Sequence, residues 1–403
     1  MLRLLRGEFL GFRTLHHPIP SEDLILCLLN ILYRLSSQRR AKSKRKAPEG
    51  YATAADLQNA FEQTDSVPSL HSTKPPGLTA LSLSPSTSSL ALTGGNDKIV
   101  QIYNRTTGKV SSTLKGHTKK INAVAWTHNG EVKLGADSEA GSDEHPAHSV
   151  SGSEDGSVRV WAHQGDGAYS LAHTLVVSPA GGKTKSPVVG AAVHPCGSIV
   201  GAASQDGHWA LFDMTSGELL LRVAAPESGA EDEAEAEGGY AYASFAFHPD
   251  GGLVAVGTAG GVVRVWDIAS ASKASTLRTA LSGAVHSLSF SENGYYLAVA
   301  AAASGETEVW DLRKIVKAAT IAHPSGSGSG VGAIQAVAFD PSAQFLAVVG
   351  PDVRVYANKS WSPLASWEEN ADQITCVGWD ARDGALVVGG HDRTLRVFGG
   401  KKA

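Results

Sequence analysis

From about residue 66 onward, short apolar runs alternate with turn residues, and one pattern recurs seven times. Each recurrence is a short strand-like run ending on an aromatic residue: Tyr103, Trp161, Phe212, Trp266, Trp310, Tyr356 and Phe398. Val-Arg-Val-Trp before Trp161 and Val-Arg-Val-Trp before Trp266 show the period-2 alternation of strands. A second apolar run precedes each aromatic. These runs end at Leu83, Trp126, Val193, Phe247, Phe290, Phe339 and Trp379, most of them in Pro, Asn-Gly or Asp-Gly turns. Pro presets φ for a turn, and Gly supplies positive φ. The separation from run end to aromatic stays between 17 and 20 residues in every unit except the second, where it is 35. The second unit therefore carries an insertion, near residues 131–148.

Two signals that keep phase over seven units of about forty to sixty residues predict four strands per unit and a WD40 β-propeller. The fold class is all-β: a seven-bladed WD40 propeller with a short basic, partly helical or disordered N-terminal extension. The expected domains are an unassigned segment 1–35, a basic linker 36–62 and a propeller 63–403. Phe398 ends a strand c, and no strand d follows it. Residues 66–71 are the expected outer strand of the last blade, closing the ring from the other end of the chain. Pro68 is acceptable there because an outer strand has a free edge.

Composition adds two points. Cys27, Cys196 and Cys376 lie far apart with no CxxC pair, which argues against a disulfide framework and a zinc site. The net charge of −4 hides an asymmetry: residues 1–50 hold ten Lys/Arg against four Asp/Glu, which leaves −10 for the remainder. The cations gather between Arg39 and Lys46, a run that reads as nuclear localisation or a nucleic-acid contact, or as a solvated linker. Direct RNA binding by the acidic propeller is not expected, since phosphate contacts need clustered Lys/Arg. The apolar stretch 24–33 is too short to span a membrane. Residues 227–239 and 325–330 read as flexible loops between blades.

The candidate chemistry is structural. His117, Ser151, Asp155 and Trp161 match the WD40 set of loop His, relay Ser, turn Asp and strand-c Trp. Asp97, Asp206 and Asp392 take the same turn position, six residues before their aromatics, and Gly260, Ser304 and Gly350 replace it in the other blades. A catalytic reading of His117, Ser151 and Asp155 lacks a nucleophile elbow, and a buried Asp must be hydrogen-bonded to be tolerated. Gly182-Lys183-Thr184 fails as a P-loop because Val177 stands where its first Gly belongs. The run 143–148 collects carboxylates and imidazoles but reads as a solvated loop. No catalytic residue, metal site or cofactor is expected.

Four segments carry a more specific resemblance: Lys44-Arg45-Lys46-Ala47-Pro48-Glu49-Gly50-Tyr51-Ala52, Val67-Pro68-Ser69-Leu70-His71-Ser72, Leu92-Thr93-Gly94-Gly95-Asn96-Asp97-Lys98 and Leu114-Lys115-Gly116-His117-Thr118-Lys119-Lys120. In this order they resemble the C-terminal part of the pre-mRNA-processing factor 19 family, over roughly nine-tenths of the chain. The resemblance implies a nuclear, spliceosome-associated E3 ubiquitin ligase with DNA-repair roles. It also implies an N-terminal U-box that recruits E2, a coiled coil that makes homotetramers, and a propeller that binds spliceosomal proteins and ubiquitination substrates. Neither U-box nor heptads are recognisable in residues 1–35. The expectation is that the chain as written binds partners without transferring ubiquitin, and that E2 binds only where a U-box precedes it. The alternative is a non-catalytic WD40 scaffold of another nuclear complex. Docking is expected on the face of the d–a and b–c loops, through Asn96, Lys119, Lys120, Asn122, Glu154, Gln205 and His391.

Overall fold

The structure is a computed structural model and describes residues 50–85, 89–127, 147–165, 167–179, 185–224, 239–323, 333–368, 370 and 372–400. The 131–148 insertion up to residue 146, the expected loops 227–239 (up to residue 238) and 325–330, Gly182-Lys183-Thr184, and the segment 1–49 with its basic run lie outside the described residues.

Helix α1 (Ala54–Asn59) and strand β1 (Phe61–Val67) come first. Blade 1 follows with β2 (Leu78–Leu83), β3 (Leu90–Gly95), β4 (Val100–Asn104) and β5 (Lys109–Leu114). Blade 2 holds β6 (Ile121–Trp126), β7 (His148–Ser153), β8 (Val158–Gly165) and β9 (Ala168–Leu175). Blade 3 holds β10 (Val188–Val193), β11 (Ile199–Ser204), β12 (His208–Asp213) and β13 (Leu219–Ala224). Blade 4 holds β14 (Tyr242–Phe247), β15 (Leu253–Thr258), β16 (Val262–Asp267) and β17 (Ser272–Arg278). Blade 5 holds β18 (Val285–Phe290), β19 (Tyr296–Ala301), β20 (Glu306–Asp311) and β21 (Val316–Ala322). Blade 6 holds β22 (Ala336–Phe339), β23 (Phe345–Val349), β24 (Val353–Ala357) and β25 (Pro363–Trp367). Blade 7 is β26 (Ile374–Trp379), β27 (Leu386–Gly390) and β28 (Leu395–Gly400), completed by β1.

The seven sheets are antiparallel, and each expected strand-a end is where a strand a ends. The b strands are buried along almost their whole length, which explains their continuous apolar runs: β3, β11, β23 and β27 have no exposed or half-exposed residue. The a strands meet around the centre, with β2 touching both β6 and β26. Polar side chains tie these neighbours. Thr79 Oγ1 donates to the Ile121 carbonyl at 2.6 Å, Asn122 Nδ2 to Val188 at 2.8 Å and Ser244 Oγ to Val285 at 2.7 Å.

On the a–b turn side, two histidines make further ties. His194 Nε2 donates to the Gly251 carbonyl of the next blade at 2.9 Å, and its Nδ1 accepts the Cys196 N–H of its own turn. His248 repeats this toward Gly294 at 3.1 Å. Gly251 has a φ of 74°, and a side chain there would collide with His194, so both conformation and close approach require Gly.

Ring closure differs from the expected segment. β1 pairs with β28 from Phe61 opposite Gly400 to Val67 opposite Leu395. It shares only Ser66 and Val67 with residues 66–71. Pro68 lies just past the strand, where it removes no ladder hydrogen bond. Leu70 and His71 turn inward instead and are buried. The expected linker 36–62 is also ordered over its described part. Thr53 caps α1 in a reciprocal box with Asp56: Asp56 N–H reaches Thr53 Oγ1 at 3.2 Å and Thr53 N–H reaches Asp56 Oδ2 at 2.8 Å. Leu57 is buried beside β25. Tyr51 donates its hydroxyl to Asp340 Oδ2 at 3.1 Å, and Ala52 N–H bonds Asp383 O at 3.0 Å. This segment thus clamps the a–b turns of blades 6 and 7.

Candidate docking face

The d–a and b–c loops share one face of the ring, and the polar network lies just beneath it. In blade 2, His117 Nδ1 lies 2.9 Å from Asp155 Oδ2, and His117 Nε2 lies 2.9 Å from Ser151 Oγ. The Trp161 indole N–H donates to the same Ser151 oxygen at 2.9 Å. Ser157 and the Thr118 N–H also donate to Asp155. Burial alone would raise the Asp155 pKa, but the bonds from Ser157, Thr118 and His117 outweigh it and hold the group at about 2. Burial holds His117 below its ordinary value. The pair is therefore a carboxylate beside a neutral imidazole. Nδ1–H donates to Asp155, and Nε2 accepts from Ser151. Ser151 is fully buried, so no substrate carbonyl can reach its hydroxyl.

Five other blades hold a carboxylate among different partners. In blade 1, Asp97 accepts from His71 Nδ1 at 3.0 Å and from the Ser72 N–H at 2.8 Å, while His71 Nε2 meets Thr93 Oγ1 at 3.0 Å. In blade 3, Asp206 takes Ser204 Oγ at 2.5 Å and lies 3.2 Å from His208 Nδ1. Against the effect of burial, His208, Ser204 and Ser178 hold Asp206 well below the carboxylate range. In blade 7, Asp392 pairs with Arg396 and accepts the Thr394 N–H at 3.0 Å. Blade 6 corrects the expected replacement by Gly350. Asp352, two residues on, pairs there with His323 and with Arg354 Nε at 2.8 Å. In blade 5 the buried Glu308 accepts from the Trp310 indole at 3.0 Å, the Ala280 N–H at 3.0 Å and Lys317 Nζ at 3.1 Å. Reading residues only at the Asp position missed His71, His323, Asp352 and Glu308. Glu308 could have been found by its phase: it lies two residues before Trp310, on the same side of the strand, and is buried where Glu306 is exposed.

The expected docking residues fall into two groups. Lys119 and Gln205 are exposed. Lys120 and Glu154 form a surface ion pair at 3.0 Å. The rest are held by the scaffold. Asn96 Nδ2 donates to the Pro76 carbonyl at 2.6 Å, Asn122 ties two blades as described, and His391 packs against Gly77 at the seam between blades 7 and 1. Asn122 thus serves the ring's centre, because its amide faces the neighbouring a strand. Among the described residues there is no metal-ligating cluster and no helix long and apolar enough to cross a membrane.

Fold and repeat chemistry together define a WD-repeat β-propeller, and the WD domain, G-beta repeat profile matches residues 108–162, 241–267 and 361–399. Along almost its whole length the chain is also similar to curated proteins. It is 30% identical to Pre-mRNA-processing factor 19 homolog 2 of Arabidopsis thaliana, over 94% of this chain and 64% of the relative. It is 31% identical to Pre-mRNA-processing factor 19 of Oryza sativa subsp. japonica, over 95% and 64%. It is 33% identical to Pre-mRNA-processing factor 19 of Caenorhabditis elegans, over 94% and 68%. The chain belongs to the pre-mRNA-processing factor 19 family, and its match spans about 64% of the length of the plant relatives.

Proposed function

We propose that this chain is the substrate- and partner-binding propeller of a spliceosome-associated E3 ubiquitin ligase that works in the nucleus, in pre-mRNA splicing and DNA repair. The observation that carries this reading is the match to proteins named pre-mRNA-processing factor 19 over more than nine-tenths of the chain. The architecture is consistent with it. The carboxylates of the blade networks are committed to partners within the fold, and the loop face presents Lys119, Lys120, Glu154 and Gln205 to solvent. Its partners are spliceosomal proteins and ubiquitination substrates. The basic run 39–46 supports nuclear import.

The test is capture from nuclear extract on the immobilised full chain, read by quantitative mass spectrometry against an unrelated WD40 propeller. Enrichment of splicing proteins is expected, and enrichment of none would remove the reading. For substrate delivery, a relative's U-box fused ahead of Ser36 should ubiquitinate the captured proteins when E1, E2, ubiquitin and ATP are present. The same U-box on an unrelated propeller should leave them unmodified.

A further inference from the structure

On one arc of the loop face two carboxylates are buried, a third is paired at the surface, and five further amines stand exposed. Asp97 and Asp155 accept from His71 and His117 and from backbone N–H groups, and Glu154 is closed by Lys120. Around them Lys74, Lys98, Lys115, Lys119 and Lys185 are exposed, and none forms an ion pair with a described residue. All five stand in neighbouring loops. Lys74 lies at the seam of blades 7 and 1, Lys98 in the b–c loop of blade 1, Lys115 and Lys119 between blades 1 and 2, and Lys185 between blades 2 and 3. Backbone bonds knit these loops together: Asn96 N–H to Gly77 O, and Glu154 N–H to Lys120 O, both at 3.1 Å. Across the ring, residues 259–261, 279–284 and 302–305 hold no ionisable side chain. These described loops of blades 4 and 5 therefore add no charge to the face.

We propose that this arc binds a carboxylate-rich extended segment of a partner protein; the inference rests on the docking reading above and adds the partner's chemistry. Each exposed amine alone contributes little in water, so affinity requires several at once, as neighbouring loops supply. A protein segment fits better than RNA. Sequence-tolerant binding of single strands uses aromatic platforms for the bases. Residues 72–77, 96–99, 115–120, 154–157 and 185–187 contain no Phe, Tyr or Trp.

The experiment uses the full chain and fluorescence anisotropy at roughly 0.15 M salt. The probes are a labelled peptide of alternating Glu and Ser, its Gln–Ser counterpart, and an oligouridylate of equal charge. Variants are Lys115→Glu with Lys119→Glu, and Lys98→Asn. The Asn is chosen because Lys98 has a φ of 70°, which Asn tolerates. A third variant, Lys44→Gln with Arg45→Gln and Lys46→Gln, isolates the N-terminal cations. The expected result is binding of the Glu peptide, with about fivefold to tenfold loss for the double Lys variant and a smaller loss for Lys98→Asn. The Gln peptide should bind at least as weakly as the Glu peptide binds the double variant, and the N-terminal variant should keep wild-type affinity. Wild-type affinity of both Lys variants, loss confined to the N-terminal variant, or tighter binding of oligouridylate would overturn the proposal. In nuclear extract the two readings separate. Equal capture by wild type and double variant refutes the arc alone, whereas no capture by wild type removes the docking reading beneath it.

Discussion

Trp161, Ser151, His117 and Asp155 form one relay whose direction follows from charge. Asp155 is ionised, His117 is neutral, and the only proton arrangement that satisfies both runs from indole to serine to imidazole to carboxylate. Replacing Asp155 by Ala leaves the buried His117 N–H without its acceptor. The expected cost is about 1–3 kcal/mol, read from urea midpoints. An unchanged midpoint would contradict the relay. Acid should act on the same groups. Asp155 sits at about 2 in the folded chain, below its ordinary 3.8. Its contribution is full above the unfolded value and is lost as pH falls through about 4 toward 2. His117 is held below 6.5, so the unfolded chain takes up that proton more readily, and its contribution also fades as pH drops below 6.5. Both effects weaken the fold on acidification. The stability advantage of wild type over Asp155→Asn should therefore shrink between about pH 5 and pH 2.5, and a constant difference would refute the assignment. The relay was legible because Gly116-His117 and Asp155 carry the family spacing. The equivalent pair in blade 6 was not, because Asp352 stands four rather than six residues before its aromatic and His323 follows no Gly.

Blades read clearly as elements because their inner strands repeat, and repetition averages out local ambiguity. β1 offers no such help. Its sequence is Phe-Glu-Gln-Thr-Asp-Ser-Val, exposed at all five central positions, because an outer strand packs neither face against a neighbouring blade. No alternation exists to be read, and the apolar Val67 and Leu70 drew the expected strand toward the C-terminal side of its true place. Helix α1 was hidden for a different reason. At six residues it is too short to show a 3.6 period, although its capping box at Thr53 and Asp56 is written in the sequence. What holds this element is burial of Leu57 and the Tyr51 hydroxyl on Asp340. Leu57→Ala should destabilise by about 2–4 kcal/mol. Tyr51→Phe should cost only about 1 kcal/mol, since Asp340 keeps donors from Gln344 and Phe345. Both should raise amide exchange in β1 before the rest of the ring. Uniform exchange across all blades would show that α1 does not clamp β1 independently.

At the scale of the whole molecule, stability depends on joining two distant stretches of chain. Every blade but the seventh is built from consecutive strands, so six need no distant segment, whereas the seventh is complete only when Phe61–Val67 pairs with Leu395–Gly400. A chain lacking residues 1–75 loses β1, the Tyr51 clamp and the His71 partner of Asp97 together, and leaves β28 as an open edge. Compared with a chain starting at Ser36, it should melt at lower temperature and associate through the bare edge. The loss of β1 can be separated from the rest by complementation. A synthetic peptide of residues 50–73 restores strand, clamp and histidine without a covalent link, and strand addition at a free edge is a known mode of peptide binding. Because such a ligand binds the folded ring and not the unfolded chain, its stabilisation should grow with the logarithm of its concentration above Kd. A peptide with Val67 and Leu70 changed to Asp should rescue less. Equal melting temperatures for the two chains, or a peptide without effect at any concentration, would mean that six blades hold the ring unaided and that β1 merely decorates its edge.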